Sequence, residues 1–164
     1  MGRKIEASKS KSYEGRKGFE ISRELGKRAV DETKRLASMI KALENLDVDD
    51  DVKQAAKNVL EGTKADAEKY VRTEVKGKVD EGKKSIENSS DIASEQMSHN
   101  EKVMRTFESM DSVGNFGKGA RTSSRGNVER SSSEFKKIIT DNKSSVQEAD
   151  KAYEQVLNEI SSTF

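Results

Sequence analysis

The chain has 164 residues, enough for one domain or one elongated helical assembly, and its 31 basic and 30 acidic side chains nearly cancel, so no overall field favours a polyanion. Hydrophobic residues make up 31% and charged residues 37%, too few apolar side chains for a compact sphere of this size. With no cysteine there are no disulfides and no thiolate chemistry, and no apolar run of about 18 residues is present to span a membrane.

Residues 1–18 carry six basic and two acidic side chains with three glycines and three serines, and read as a flexible basic arm. The segment has no apolar core, so it is not a secretory signal peptide, and Glu6 stands where N-myristoylation wants Ser or Thr. A helical pattern sets in over about 19–46, where Ile21, Leu25 and Ala29 lie four apart and Leu36, Met39, Ile40, Leu43 and Leu46 continue it. The break "LDVDDD" resembles the start of a calcium loop. Val52, however, stands where the turn needs Gly, and Asn58 where the bidentate Glu belongs. Asp49 or Asp50 is better placed to cap the next helix, with the remaining carboxylates at the positive end of its dipole.

That second helix is expected over about 50–111. Its early stripe is Val52, Ala55/Ala56, Val59/Leu60, Ala67 and Tyr70/Val71, and its later stripe runs from Val75 and Val79 through Ile86, Ala93 and Met97 to Phe107 and Met110. Gly82, Ser89 and Asn100 complete the later stripe, so the seam is thin and interrupted, and a kink near 77–90 is expected at Gly77 and Gly82.

Next comes "SVGNFGKGARTSSRG", residues 112–126, with four glycines. A phosphate-binding loop would need a different Gly-Lys-Ser/Thr spacing and a preceding strand. A bend fits better: Gly114 is free to take the left-handed conformation that closes a helix, and Ser123, Ser124 or Asn127 is placed to cap the next one.

The strongest pattern follows, in a helix expected over about 127–162. Ile139, Val146, Tyr153 and Ile160 occupy one heptad position, and Val128, Phe135, Asn142, Ala149 and Val156 the other. A seam this narrow packs on another helix. Asn142 costs stability but can fix register against a polar partner, for which Asn100 is a candidate.

These patterns predict an all-α fold: a long antiparallel helical hairpin or three-helix coiled-coil-like bundle over residues 19–164, with the basic arm ahead of it. His99 is the only histidine and has no second catalytic group at helical spacing, so neither enzyme activity, a cofactor nor a metal is expected. The expected function is a non-enzymatic interaction module pairing with another helical protein or with itself. The alternative is a nucleic-acid-binding helical protein using the basic arm, although interleaved acids such as Glu20 and Glu24 weaken that field.

The bend residues Ser112, Gly114, Phe116 and Gly117, between two amphipathic helices, are similar to the Trp/Ser/Phe-x-Gly bend of the WXG100 (ESAT-6-like) superfamily and of LXG-associated helical proteins. The resemblance covers residues 85–160. It implies a non-enzymatic, secretion-associated partner or chaperone-like subunit of bacterial type VII secretion, cytoplasmic or exported without a cleaved signal peptide. The family's Trp is absent, and Leu157 stands where its Tyr-x-x-x-Asp/Glu export signal, starting at Tyr153, would need an acid. Residues 55–85 also resemble the Ala/Lys/Glu/Thr-rich segments of group 3 late-embryogenesis-abundant proteins, which implies a stress-protective alternative.

Overall fold

The structure, a computed structural model, describes residues 2–163, and all of its regular elements are helical. Helix α1 spans Gly2–Glu44 and α2 spans Asp50–Tyr70; a π-helical turn, Val71–Val75, leads directly into α3, Lys76–Val113; and α4 spans Lys118–Ser162. The all-α expectation holds.

The chain packs as two compact units. One joins residues up to Arg16 with Lys83–Val146; the other joins Lys17–Gly82 with residues from Gln147 onward.

In the first unit, Ile5, Met97 and Ile139 close around Ala93, Phe135 and Ile138. The expected flexible arm is therefore the opening turns of α1. Composition pointed the other way, but Ile5 reaches this cluster and Ser8 and Ser12 are buried beside it, so tertiary packing overrides the basic, glycine-containing local sequence. Residue 8 meets residue 89, residue 100 meets residues 131 and 132, and residue 89 meets residue 142. Partners thus descend along α3 as they ascend along α4, an antiparallel order.

In the second unit, Ala29 and Val30 of α1, Val71 and Val75 of the π turn, and Leu157 and Ile160 of α4 form a continuous apolar core, with Leu25, Ala67, Tyr153 and Val156 packed on its edge. Glycine allows two close approaches here. A Cβ on Gly18 would lie 3.3 Å from the Gly82 Cα, and one on Gly26 would lie 2.8 Å from Val156 Cγ2.

No break in helical hydrogen bonding occurs at 77–90, and Gly77 and Gly82 sit inside the α-helical run of α3. The irregular turn lies just before, where Ala67, Val71, Val75 and Val79 fall four apart three times running. An α-helix carries such a spacing out of phase by about 40° per step, and a wider turn brings the residues back onto one line. Val71 and Val75 are both fully buried.

Asp49 occupies the N-cap position of α2 with extended backbone, and its carbonyl accepts the first helical bonds from Val52 and Lys53. Its carboxylate makes no capping hydrogen bond. Asp50 and Asp51 in the first turn meet the helix dipole as expected.

The bend is shorter than the sequence suggests. Residues 118–126, expected within it, form the first turns of α4, and only residues 114–117 connect the helices. Among the described residues the one positive φ belongs to Gly117, at 75°, and not to Gly114. Ser123, Ser124 and Asn127 lie inside the helix instead of capping it.

Candidate protein interface

Every residue of the expected seam on α4 is buried or half-buried within its own unit. In the first unit these are Val128, Phe135, Ile139, Asn142 and Val146; in the second they are Ala149, Tyr153, Val156 and Ile160. Phe135 and Ile160 are completely enclosed. The α4 face contains Ser131, Ile138 and Leu157 as well, each more buried than the sequence pattern indicated. Tyr153 lies against the apolar core of the second unit, and burial pushes its hydroxyl above the ordinary phenol value, with Arg72 opposing.

Asn142 is the centre of a buried polar layer. Its Oδ1 accepts from the Ser12 hydroxyl at 2.7 Å, and its Nδ2 donates to the Ser89 and Ser90 hydroxyls at 3.0 Å each. Ser8 and Ser89 are reciprocal: each hydroxyl donates to the other's backbone carbonyl, at 2.9 and 2.7 Å. Arg16 donates to the Ser12 oxygen at 3.1 Å. Asn142 thus meets polar partners on neighbouring helices, but Asn100 is not one of them. Asn100 forms a separate layer with Ser132 at 2.9 Å and Ser131 at 3.4 Å. Among the described residues no buried side-chain nitrogen or oxygen lacks a hydrogen bond, so both layers are satisfied.

The bend is held by arginines. Arg121 donates from Nε to Asp111 at 2.7 Å, and its two terminal nitrogens donate to the carbonyls of Phe116 at 2.6 Å and Gly114 at 2.9 Å. Arg125 pairs with the second Asp111 oxygen. The hydrogen bonds from Arg125 and then Arg121 hold the Asp111 carboxyl below its ordinary value against a smaller opposing effect of burial. Arg121 is thus spent on Asp111 and on the chain's own carbonyls. This clamp presents Phe116, 98% exposed, and Val113, 89% exposed, to solvent. Ser112 donates to the Ser109 carbonyl of its own helix, at 2.7 Å.

The largest departure from expectation is on α1. The stripe read from sequence as its packing face is only partly used: Ala29 is buried and Leu25 and Ile40 are half-buried, but Ile21, Leu36, Met39, Leu43 and Leu46 are exposed. The buried face is Ser8, Ser12, Gly15, Phe19, Ser22, Gly26, Ala29, Thr33 and Ala37, spaced three and four apart. Small residues carry it because α1 lies close against its neighbours. Ser22 and Thr33 satisfy their hydroxyls on the Phe19 and Ala29 carbonyls of their own helix.

In the second unit α1 and α2 share a groove of about 490 Å³ that includes Leu25, Glu32 and Leu36 on one wall and Thr63, Asp66 and Tyr70 on the other. Beyond it Val52 and Val59 of α2 are exposed, as is Leu43 of α1.

His99 is exposed, with Nε2 3.8 Å from Glu95 one turn away. Among the described residues no group of three His, Cys, Asp or Glu side chains converges to hold a metal, and no helix is long and apolar enough to cross a membrane.

No protein-family model, curated protein or solved structure matches the chain.

Proposed function

We propose that the chain is a non-enzymatic helical interaction module that pairs with another helical chain or with a second copy of itself. One observation carries this: Leu36, Met39 and Leu43 of α1 and Leu46 just after it face solvent, as do Val52 and Val59 of α2. In a sequence where only 31% of residues are hydrophobic, six large ones left along one helix pair and its connection are surface that a partner would cover. The α4 seam, by contrast, is already used within the chain.

The finer architecture belongs to the same proposal. Buried positions spaced three and four apart on α1, α3 and α4 support three-helix, coiled-coil-like packing inside each unit. The clamped bend with outward-facing Phe116 supports a secretion-associated partner or chaperone-like role of the kind its resemblance implies, working in the cytoplasm or exported without a cleaved signal peptide.

The test is in-cell cross-linking in the source organism, followed by light scattering on the purified species. A stoichiometric complex, with itself or another protein, is expected. A chain that stays monomeric in cells and in concentrated solution refutes the proposal.

A second function is favoured by charge on one element. Helix α1 carries twelve basic and seven acidic side chains, although the whole chain is only +1. Polynucleotide retention that collapses steeply with salt supports nucleic-acid binding; no retention at low salt removes it.

A further inference from the structure

Residues 2–16 of α1 lie against α3 and α4 mainly through small and polar side chains. Ser8, Ser12 and Gly15 are buried there, and Ile5 is half-buried. The segment's other large side chain with apolar surface, Tyr13, is 57% exposed. Ser8 is hydrogen-bonded to Ser89, and Ser12 to Asn142. Bonds of this kind exchange for bonds to water at small net cost, whereas solvent offers nothing in place of apolar burial. The division between the two units falls after Arg16, one residue past Gly15, where glycine weakens the helix. Beyond that point α1 is held by larger buried groups, among them Phe19 and Val30.

The helices it rests on hold each other without it. Asn142 keeps its bonds to the Ser89 and Ser90 hydroxyls, at 3.0 Å each, and Phe135 and Ile138 keep Ala93, Met97 and Ile139. Ile5 is the one member of that apolar cluster supplied by α1. The Ser8 and Ser89 carbonyls sit in regular helix, where the backbone amide one turn further on also reaches them. Departure of the segment therefore hands Asn142 Oδ1 and the serine hydroxyls to water and removes a single large apolar side chain from the cluster. What departs carries five basic and two acidic side chains, the composition of a solvated tail.

We infer that residues 2–16 are a detachable strap, which leaves α3 and α4 as one unit by bending near Gly15 while the α3–α4 pair stays folded. The basic arm suggested by composition and the packed helix of the structure are then two states of the same residues. In the closed state Lys9 and Arg16 share a groove with Glu134 and Asp141 of α4; opening carries both cations away from those acids. Segments that open below the global unfolding free energy are the ones available for switching. The inference stands independently of the interaction-module proposal.

Native-state amide exchange on the full chain, repeated in urea concentrations below global unfolding, tests it. The amides of residues 6–14 are expected to share one protection level, about 100-fold below that of residues 89–100 and 135–146, with a step near residue 16. That shared opening should accelerate with urea, since it exposes surface, but less steeply than global unfolding does. Simple end fraying gives instead a gradient rising from residue 2 with no urea dependence, and that result overturns the strap. So does protection of residues 6–14 equal to that around Phe135. Ile5→Ala is expected to speed exchange in the strap about tenfold and leave residues 135–146 unchanged. Phe135→Ala, which loosens the surface beneath, is expected to lower protection in both. If Ile5→Ala lowers protection equally in the strap and around Phe135, the three helices open together and the inference fails.

Discussion

The two units close their helices with different chemistry. Where the first turns of α1 meet α3 and α4, contact runs through Ser8, Ser12, Ser89 and Asn142, joined by hydrogen bonds of 2.7–3.0 Å, with apolar packing concentrated at Phe135 and Ile138. In the unit that contains the π turn, contact runs through Val30, Val71, Val75, Leu157 and Ile160. An apolar layer tolerates sliding, because one methyl replaces another at little cost. A hydrogen-bonded layer does not, since a shift of one residue strands several donors at once. The serine–asparagine layer therefore fixes register, and the valine–isoleucine layer supplies stability.

The widest test of that contrast removes the main apolar side chain from each unit. Phe135→Ala is expected to cost about 3–5 kcal/mol and Ile160→Ala about 2–5, read by urea denaturation. A loss well under 1 kcal/mol at either site would mean that the side chain is not packed as described.

The next test separates the layers by chemistry. Asn142→Leu leaves the Ser12 hydroxyl without its acceptor and is expected to cost about 1–3 kcal/mol. Adding Ser12→Ala and Ser89→Ala should recover part of this, because an apolar group opposite an apolar group strands nothing. If the triple variant is less stable than Asn142→Leu alone, the layer is not acting through satisfied hydrogen bonds.

A smaller effect is expected at Gly26 in the apolar unit. Alanine there gains about 1 kcal/mol in helix propensity but places its Cβ 2.8 Å from Val156 Cγ2, an overpacking cost of about 1–3 kcal/mol. The expected net change is a modest loss, relieved by Val156→Ala. A clear gain in stability would show that the two helices can separate freely.

The smallest effect lies outside both layers, at the bend. The folded pKa of Asp111 is depressed, so whatever its clamp contributes is present above the ordinary carboxylate value and lost as pH falls through the lowered one. Asp111→Asn should speed amide exchange at residues 114–117 at neutral pH and remove its acid dependence, with little change in global stability. Unchanged exchange would show that Gly117 and the backbone set the turn without the arginines.

Legibility in the sequence follows the same division. The α4 seam and the later α3 stripe were readable because Val, Ile and Phe recur at spacings of three and four, and even Gly82, Ser89 and Asn100 were marked as completing that stripe. The N-terminal turns of α1 were not readable. Their buried positions are Ser8, Ser12 and Gly15, residue types that equally suit a solvated tail, and only the three-and-four spacing continued through Phe19 and Ser22 would have revealed them. On α1 the expected stripe keeps Ala29 buried and Leu25 and Ile40 half-buried, while close helix approach selects small residues beside it in place of the other large ones. The partner of Asn142 was out of reach because it depends on the axial offset of three helices, which no single helix encodes. The outward residues Leu36, Met39, Leu43 and Leu46 were therefore visible as a pattern but not as exposed surface.

The turn at residues 71–75 acts as a vernier. It takes up the surplus residue that three successive four-residue steps would otherwise pass along the rod. Deleting Thr73, which is itself exposed, would restore ordinary winding and leave Val71 and Val79 within about 20° of one line, whereas deleting a residue from the regular turns of α3 would rotate everything C-terminal to it by about 100°. That neighbourhood is consequently more tolerant of a one-residue gap than the regular turns on either side of it.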